Sequence, residues 1–239
     1  MSAERPTRVI LGATCYKDAK SALTLAIQVA LKTGREVSGL LIEEETILQF
    51  ANMPAARTID RAGRPVSDVG AERMMKAFRQ DAAHFEHSLR EAATARALRW
   101  SFSRKRGRLV PVLSEIAGSG DLVLLGGEPV ERTPGEVVLL LSDDGDTELF
   151  GLAAHLAQTH RCRLRVMVRS TKRPLQAEVP ATAIFENVPD EGVLRARLAA
   201  VAASNILVAD VSDLTAQLGP VLEHARFPRL LRGVRGLRA

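Results

Sequence analysis

Short apolar runs alternate along this chain with longer stretches in which apolar residues recur every three or four positions. That alternation predicts strands joined by helices. Residues 8–14 are apolar on both faces, as a buried parallel strand requires. Leu23, Ala26, Ile27, Ala30 and Leu31 then mark one helix face, and Gly34 is placed to end that helix. Residues 37–42 form a second strand closed by Glu43, Glu44 and Glu45, which completes a βαβ unit. Residues 51–70 carry Pro54, Gly63, Pro65 and Gly70 with no clear period and are expected to be a loop or lid. Met74, Phe78, Phe85 and Leu89 stripe a long helix over 71–96. Residues 97–103 alternate as a third strand, 109–117 suit a short helix with Pro111 in its first turn, and 121–127 form a fourth strand ending in two glycines.

The pattern then restarts. Residues 137–141 read as a strand, 142–146 as a polar turn, 147–160 as a helix and 164–168 as a strand, repeating the first 42 residues at an offset of about 127. A strand over 181–188, a helix over 191–203 and a strand over 205–210 continue the order. The expected fold class is α/β, two tandem doubly wound halves with mainly parallel sheets. The expected boundaries are 1–130 for the first half, with 51–96 as a loop-helix insertion, 135–225 for the second half, and 226–239 as an arginine-rich tail. The first half lacks a fifth strand of its own, because 137–141 opens the second.

Composition narrows the class. At 239 residues and 46% hydrophobic, the chain can bury a sizeable core, and with aromatics at 4% that core is aliphatic. No apolar run reaches the length of a membrane span, and Cys15 and Cys162 show no metal-ligand spacing. A reduced cytoplasm is the expected setting. The isoelectric point of about 9.7 is local in origin. Arg226, Arg229, Arg232, Arg235 and Arg238 stand at every third position; setting these five aside leaves the rest of the 33 basic residues balanced against the 28 acidic ones. A broad phosphate-binding face is therefore not expected. The tail can serve as a docking element for an acidic protein, a nucleic acid or a membrane surface, as a solvated terminus, or, over 227–231, as the last strand of the second half.

The order of elements and several local phrases resemble the universal stress protein family. The likeness rests on the strand, turn and Ala/Leu-rich helix over 9–31, on the short helix followed by Asp121-Leu122-Val123-Leu124-Leu125-Gly126, and on Ile206-Leu207-Val208-Ala209-Asp210 in the corresponding place of the second half. The resemblance implies a crevice at the strand ends for an adenine nucleotide, with Thr14, Gly126 and Gly127 in one half and Asp143 and Asp144 in the other as its nearest candidates. Two features of such a site are missing. The first strand ends Gly12-Ala13-Thr14-Cys15 without a carboxylate, and no spaced glycine loop follows Gly126-Gly127. The Asp210-Val211-Ser212-Asp213 segment has no glycine and two negative charges. ATP is accordingly not the expected cofactor, although it remains the alternative.

Catalytic patterns are absent: there is no Gly-x-Ser-x-Gly elbow, no Walker loop, and no histidine pair in a zinc pattern. Asp143, Asp144 and Asp146 suit a helix cap better than a calcium loop. Arg104, Lys105 and Arg106, at the third strand's end with Arg108 beyond, are placed to meet an anion in the strand-end crevice. The expected function is a non-catalytic, tandem universal-stress-type binding or regulatory module with a protein partner, as a homodimer or with another chain. The alternatives are an adenine-nucleotide sensor or weak ATPase, and a tail-mediated binder of an anionic partner.

Overall fold

A computed structural model describes residues 7–51, 58–59, 65–66, 71–127, 134–141, 147–168, 183–212 and 225–236. The chain runs through β1 (Arg8–Ala13), α1 (Tyr16–Thr33), β2 (Glu36–Glu43), α2 (Glu45–Ala51), a two-stranded pair β3 (Thr58–Ile59) and β4 (Pro65–Val66), α3 (Ala71–Thr94), β5 (Trp100–Arg106), α4 (Leu109–Ile116) and β6 (Leu122–Leu125). It continues through β7 (Glu136–Leu141), α5 (Thr147–His160), β8 (Arg163–Val168), β9 (Ala183–Asn187), α6 (Glu191–Ala199), β10 (Ile206–Asp210) and β11 (Arg229–Arg232). A 3₁₀ turn over Val234–Gly236 follows β11.

Nine of these strands form one continuous sheet in the order β5-β2-β1-β6-β11-β10-β7-β8-β9. The first half contributes β5-β2-β1-β6 and the second β9-β8-β7-β10, so each repeats a third-second-first-fourth order. Within each half the pairings are parallel. The fold is therefore α/β and doubly wound. The two expected halves share this one sheet, joined edge to edge.

The joining element is β11, and it corrects the expected boundary at residue 226. β11 pairs parallel with β10 and antiparallel with β6. It completes the second half and also covers the edge that the first half, lacking a fifth strand, would leave open. Because it is parallel to one neighbour and antiparallel to the other, the carboxyl ends of the two halves' strands lie at opposite edges of the sheet.

The strands are apolar on both faces because helices cover both. Leu11, Val37 and Leu122 point with Leu139 and Val208 into a layer under α1, α3 and α5. Ile10, Leu40 and Val123 point with Leu140 and Leu207 into the opposite layer, under α4 and α6. Period two along each strand thus fills two cores at once. Gly34 ends α1 in the left-handed region at φ 66°, as its position predicted, and Asp190 caps α6 by accepting from the Val193 amide at 2.9 Å.

Two expectations in the first half change. The helix within the supposed 51–96 insertion is the β2-to-β5 crossover: Ala82, Phe85, Leu89 and Ala93 of α3 are buried in the same layer as α1. The third strand spans residues 100–106, later than the predicted 97–103, because β2 offers ladder partners as far as Glu43. Arg104, Lys105 and Arg106 consequently lie in the strand rather than beyond it.

Candidate functional site

A doubly wound sheet opens a crevice where successive crossovers leave a strand in opposite directions. In the first half that point lies at the carboxyl ends of β1 and β6. A cavity of about 520 Å³ sits there, lined by Thr14, Lys17, Asp18, Arg108, Gly126 and Arg229, among others. Its polar walls come from the starts of α1 and α4, because each helix begins immediately after a strand end or turn that faces the crevice. The cap positions of these two helices, Cys15 and Arg108, make no side-chain hydrogen bond to the helix amides. Half-burial raises the Cys15 thiol above its ordinary value, which works against a thiolate nucleophile at neutral pH.

The two glycines that end the fourth strand line the cavity and are also closely approached by other backbone. A Cβ at Gly126 would fall on the backbone oxygen of Asp18, and one at Gly127 on the backbone oxygen of Arg226. Both glycines therefore serve close approach of the chain to itself. Ser21 ties the first of these contacts, its hydroxyl donating to Asp18 O at 2.7 Å and to Gly127 O at 3.2 Å. Arg229, only 3% exposed, donates from Nη1 to Gly126 O at 2.9 Å and to Ala225 O at 3.1 Å. A guanidinium from the last strand thus sits at the end of the first half's fourth strand.

The second half shows a counterpart at the opposite edge of the sheet. Arg232, at the other end of β11, donates to Asp210 Oδ2 from Nε at 3.0 Å and from Nη2 at 2.6 Å. Asp210 Oδ1 accepts from the Ser212 amide at 2.9 Å and from the Ser212 hydroxyl at 2.5 Å. Glu148, in the first turn of α5, reaches Arg232 at 3.6 Å and Arg35 of the first half at 2.8 Å. Among the described residues, these ion pairs occupy the strand ends here, and the Arg35–Glu148 pair bridges the halves.

Burial raises the Asp210 pKa, but the Ser212 hydroxyl and amide and the Arg232 guanidinium outweigh it, so the carboxyl titrates below its ordinary value. A carboxyl depressed in the fold contributes stability above its unfolded-state pKa, near 4, and loses it as pH falls through the lower folded-state value. Asp210→Asn should cost about 2 kcal/mol at pH 7 and progressively less below about pH 4. Urea titrations across that range check this; a pH-independent difference would assign the cost to packing instead.

The structure brings together some of the predicted site residues and separates others. Thr14, Gly126 and Gly127 do line the first crevice, as does Arg226. Arg104, Lys105 and Arg106 do not: they lie on edge strand β5, where Arg104 and Arg106 pair with Glu43. Edge position explains the correction, since β5 pairs with β2 alone while the crevice lies beyond β1. Arg229, Arg232 and Arg235 of the supposed tail are engaged internally, Arg235 donating to Ala117 O at 2.6 Å. Asp143, Asp144 and Arg238 lie outside the described residues. Lys17, Asp18 and Glu44 line the cavity without having been singled out; the signal that finds them is their place one to five residues after a strand end.

Among the described residues no group of three or more His, Cys, Asp or Glu side chains is placed to hold a metal, and no helix is long and apolar enough to cross a membrane.

No protein-family model and no curated protein matches this chain. Among solved structures, it is similar to a universal stress protein from Archaeoglobus fulgidus, at 12% identity and TM-score 0.46, covering 95% of this chain and 98% of that one. It is also similar to a functionally unknown protein from Pseudomonas aeruginosa, at 14% identity and TM-score 0.47, covering 95% of this chain and 92% of the other.

Proposed function

We propose that the chain is a non-catalytic binding and regulatory module of universal-stress type, with one crevice open to a ligand and the other closed by the protein's own side chains. The observation that carries this reading is β11. One four-residue strand sets Arg229 at the first half's crevice and Arg232 at the second's. A nucleotide site of the glycine-loop kind needs backbone amides free to close on phosphates. Here Gly126 and Gly127 line the cavity, but backbone of Asp18 and Arg226 lies where a Cβ would stand on each, and no spaced glycine loop follows them in the sequence. Cys15, the cap residue of α1 beside this crevice, has its thiol pKa raised by burial, which disfavours a thiolate nucleophile there.

The alternative, an adenine-nucleotide sensor or weak ATPase, draws support from the same cavity, whose volume of about 520 Å³ falls within the range of small-molecule sites. The tail-docking reading loses most of its basis, because Arg229, Arg232 and Arg235 are bonded within the fold.

A thermal-shift series separates the first two readings. Millimolar ATP, ADP and AMP, with and without magnesium, are compared with tripolyphosphate at equal concentration and ionic strength. A ligand at about 100 times its dissociation constant adds about 2.7 kcal/mol. The expected result is no shift from the nucleotides beyond that of tripolyphosphate, and no phosphate release from ATP. A shift specific to the nucleotides, or turnover, would make the protein a nucleotide sensor or ATPase.

A further inference from the structure

A second cavity, of about 690 Å³, shares no lining residue with the β1–β6 crevice. Its walls come from the middle of α1, the carboxyl end of α5, the start of β10 and the residue before β11. The first half therefore supplies one wall and the second half the others. Leu25, Ile206 and Pro228 make part of the lining apolar. Gln28 and His160 stand among them, and each carries a buried polar atom without a hydrogen-bond partner, Oε1 of Gln28 and Nε2 of His160. Buried polar atoms nearly always have partners, so two orphans on residues of one cavity point to a missing one. Burial pushes the His160 imidazole below its ordinary value, which keeps the ring uncharged at neutral pH. No Asp or Glu lines the cavity, and Arg161 is an exposed part of its wall.

We infer that this cavity takes an uncharged small molecule bearing an amide, as a carboxamide or a lactam, whose N–H and C=O answer Gln28 and His160 while its apolar body rests on Leu25, Ile206 and Pro228. The site is separate from the crevice of the proposed function and does not depend on it. A cation would find no carboxylate here and would face Arg161. A carboxylate offers no donor, and the Gln28 carbonyl oxygen only accepts. An amide carries both a donor and an acceptor. It therefore serves the imidazole in either tautomer and the Gln28 side chain in either orientation of its own amide. Both orphaned atoms lie beneath the cavity surface, out of reach of solvent. The last torsion of a glutamine or a histidine is soft, so each can turn toward a ligand at small cost. The volume falls within the range of small-molecule sites, whose mostly apolar walls carry a few orienting polar groups.

The test is NMR of the full nitrogen-15-labelled chain titrated with benzamide to millimolar concentration, with benzoate and benzylamine as the matching anion and cation. Benzamide should bind, shifting the Gln28 side-chain amide and His160 ring signals and leaving the Thr14 and Lys17 amides of the β1–β6 crevice in place. Gln28→Leu and His160→Phe should each weaken benzamide binding about five- to tenfold, the worth of one hydrogen bond. Neither variant should melt below wild type, because each removes a buried polar atom that has no partner to lose. Should a variant fail to fold, the signals that move in wild type and the charge series still decide. Absence of benzamide binding overturns the inference and leaves water as the partner of the two atoms. Benzoate or benzylamine binding as tightly as benzamide overturns the amide assignment. Shifts confined to other residues, or an affinity unchanged in both variants, overturn the site. None of these outcomes alters the nucleotide comparison that tests the proposed function.

Discussion

Replacing Arg229 with alanine should lower the unfolding free energy by about 4 kcal/mol, with the loss read by urea denaturation. The guanidinium is 3% exposed and supplies donors to two backbone oxygens, Gly126 O and Ala225 O, with Phe227 O further off at 3.4 Å. Alanine leaves those oxygens without that donor, at about 1–3 kcal/mol for each that stays unsatisfied, and leaves an unfilled volume beside them. A buried charge also carries a desolvation cost that the substitution relieves, which keeps the sum from being larger. Arg229→Met separates these contributions. It restores most of the volume without the donors, so about half the loss should return. Arg229→Lys should recover less than its charge suggests, because one ammonium at the end of a flexible stem cannot reproduce a planar fork. Should the methionine variant match wild type, the carbonyls would not need the arginine, and Arg229 would be only a space-filler.

The parts of this architecture that were legible in the sequence are those with local causes. The strands at β1, β2, β6, β7 and β10 announce themselves as short runs apolar on both faces, and burial on both faces of the sheet is the reason. Helix α1 was equally readable, from its three- and four-residue spacing and from Gly34. A last strand over 227–231 was one of the readings the sequence allowed, and what local pattern could not supply was its second pairing, with β6. Residues 229–232 read Arg-Leu-Leu-Arg, with charges at both ends, because the strand is only four residues long and each end meets a polar partner across the sheet. A three-residue spacing of arginines looks like a helical or solvated stripe. In fact alternate neighbours of that stripe, Leu230 and Leu231, face the two opposite core layers.

The crevice was legible in position but not in chemistry. Thr14, Gly126 and Gly127 follow strand ends and therefore had to lie near the switch point. Arg104, Lys105 and Arg106 lie away from the cavity because the third strand runs three residues further than its alternation indicated, and edge strands carry exposed charge for their own reason, to discourage pairing with another chain. The cations that do line the cavity come from separate elements, and only the strand order brings Lys17, Arg108 and Arg229 to one place.

The same junction sets the second large effect: Gly127→Ala should cost at least about 3 kcal/mol, beyond the usual range for a surface alanine. A Cβ at residue 127 would overlap the Arg226 carbonyl oxygen and lie 2.8 Å from its carbon. Those are backbone atoms, so no side-chain rotation relieves the contact. Either residue 127 moves, and with it the end of β6, or the 225–228 segment moves, and with it the start of β11. Both routes disturb the Arg229 bonds to Gly126 and Ala225 and loosen the antiparallel β6–β11 pairing that joins the halves. Gly151 supplies the contrast. It lies exposed in α5 with nothing within 4 Å of a built Cβ, so alanine there should stabilise the protein by about 0.5–1 kcal/mol through helix propensity alone. Opposite signs for one chemical change, at a junction and on a helix surface, would mark the edge-to-edge join as the place where this fold has least room. If Gly127→Ala instead melts within a degree or so of wild type, the 225–228 segment yields easily, and β11 is a looser strap than its hydrogen bonds indicate.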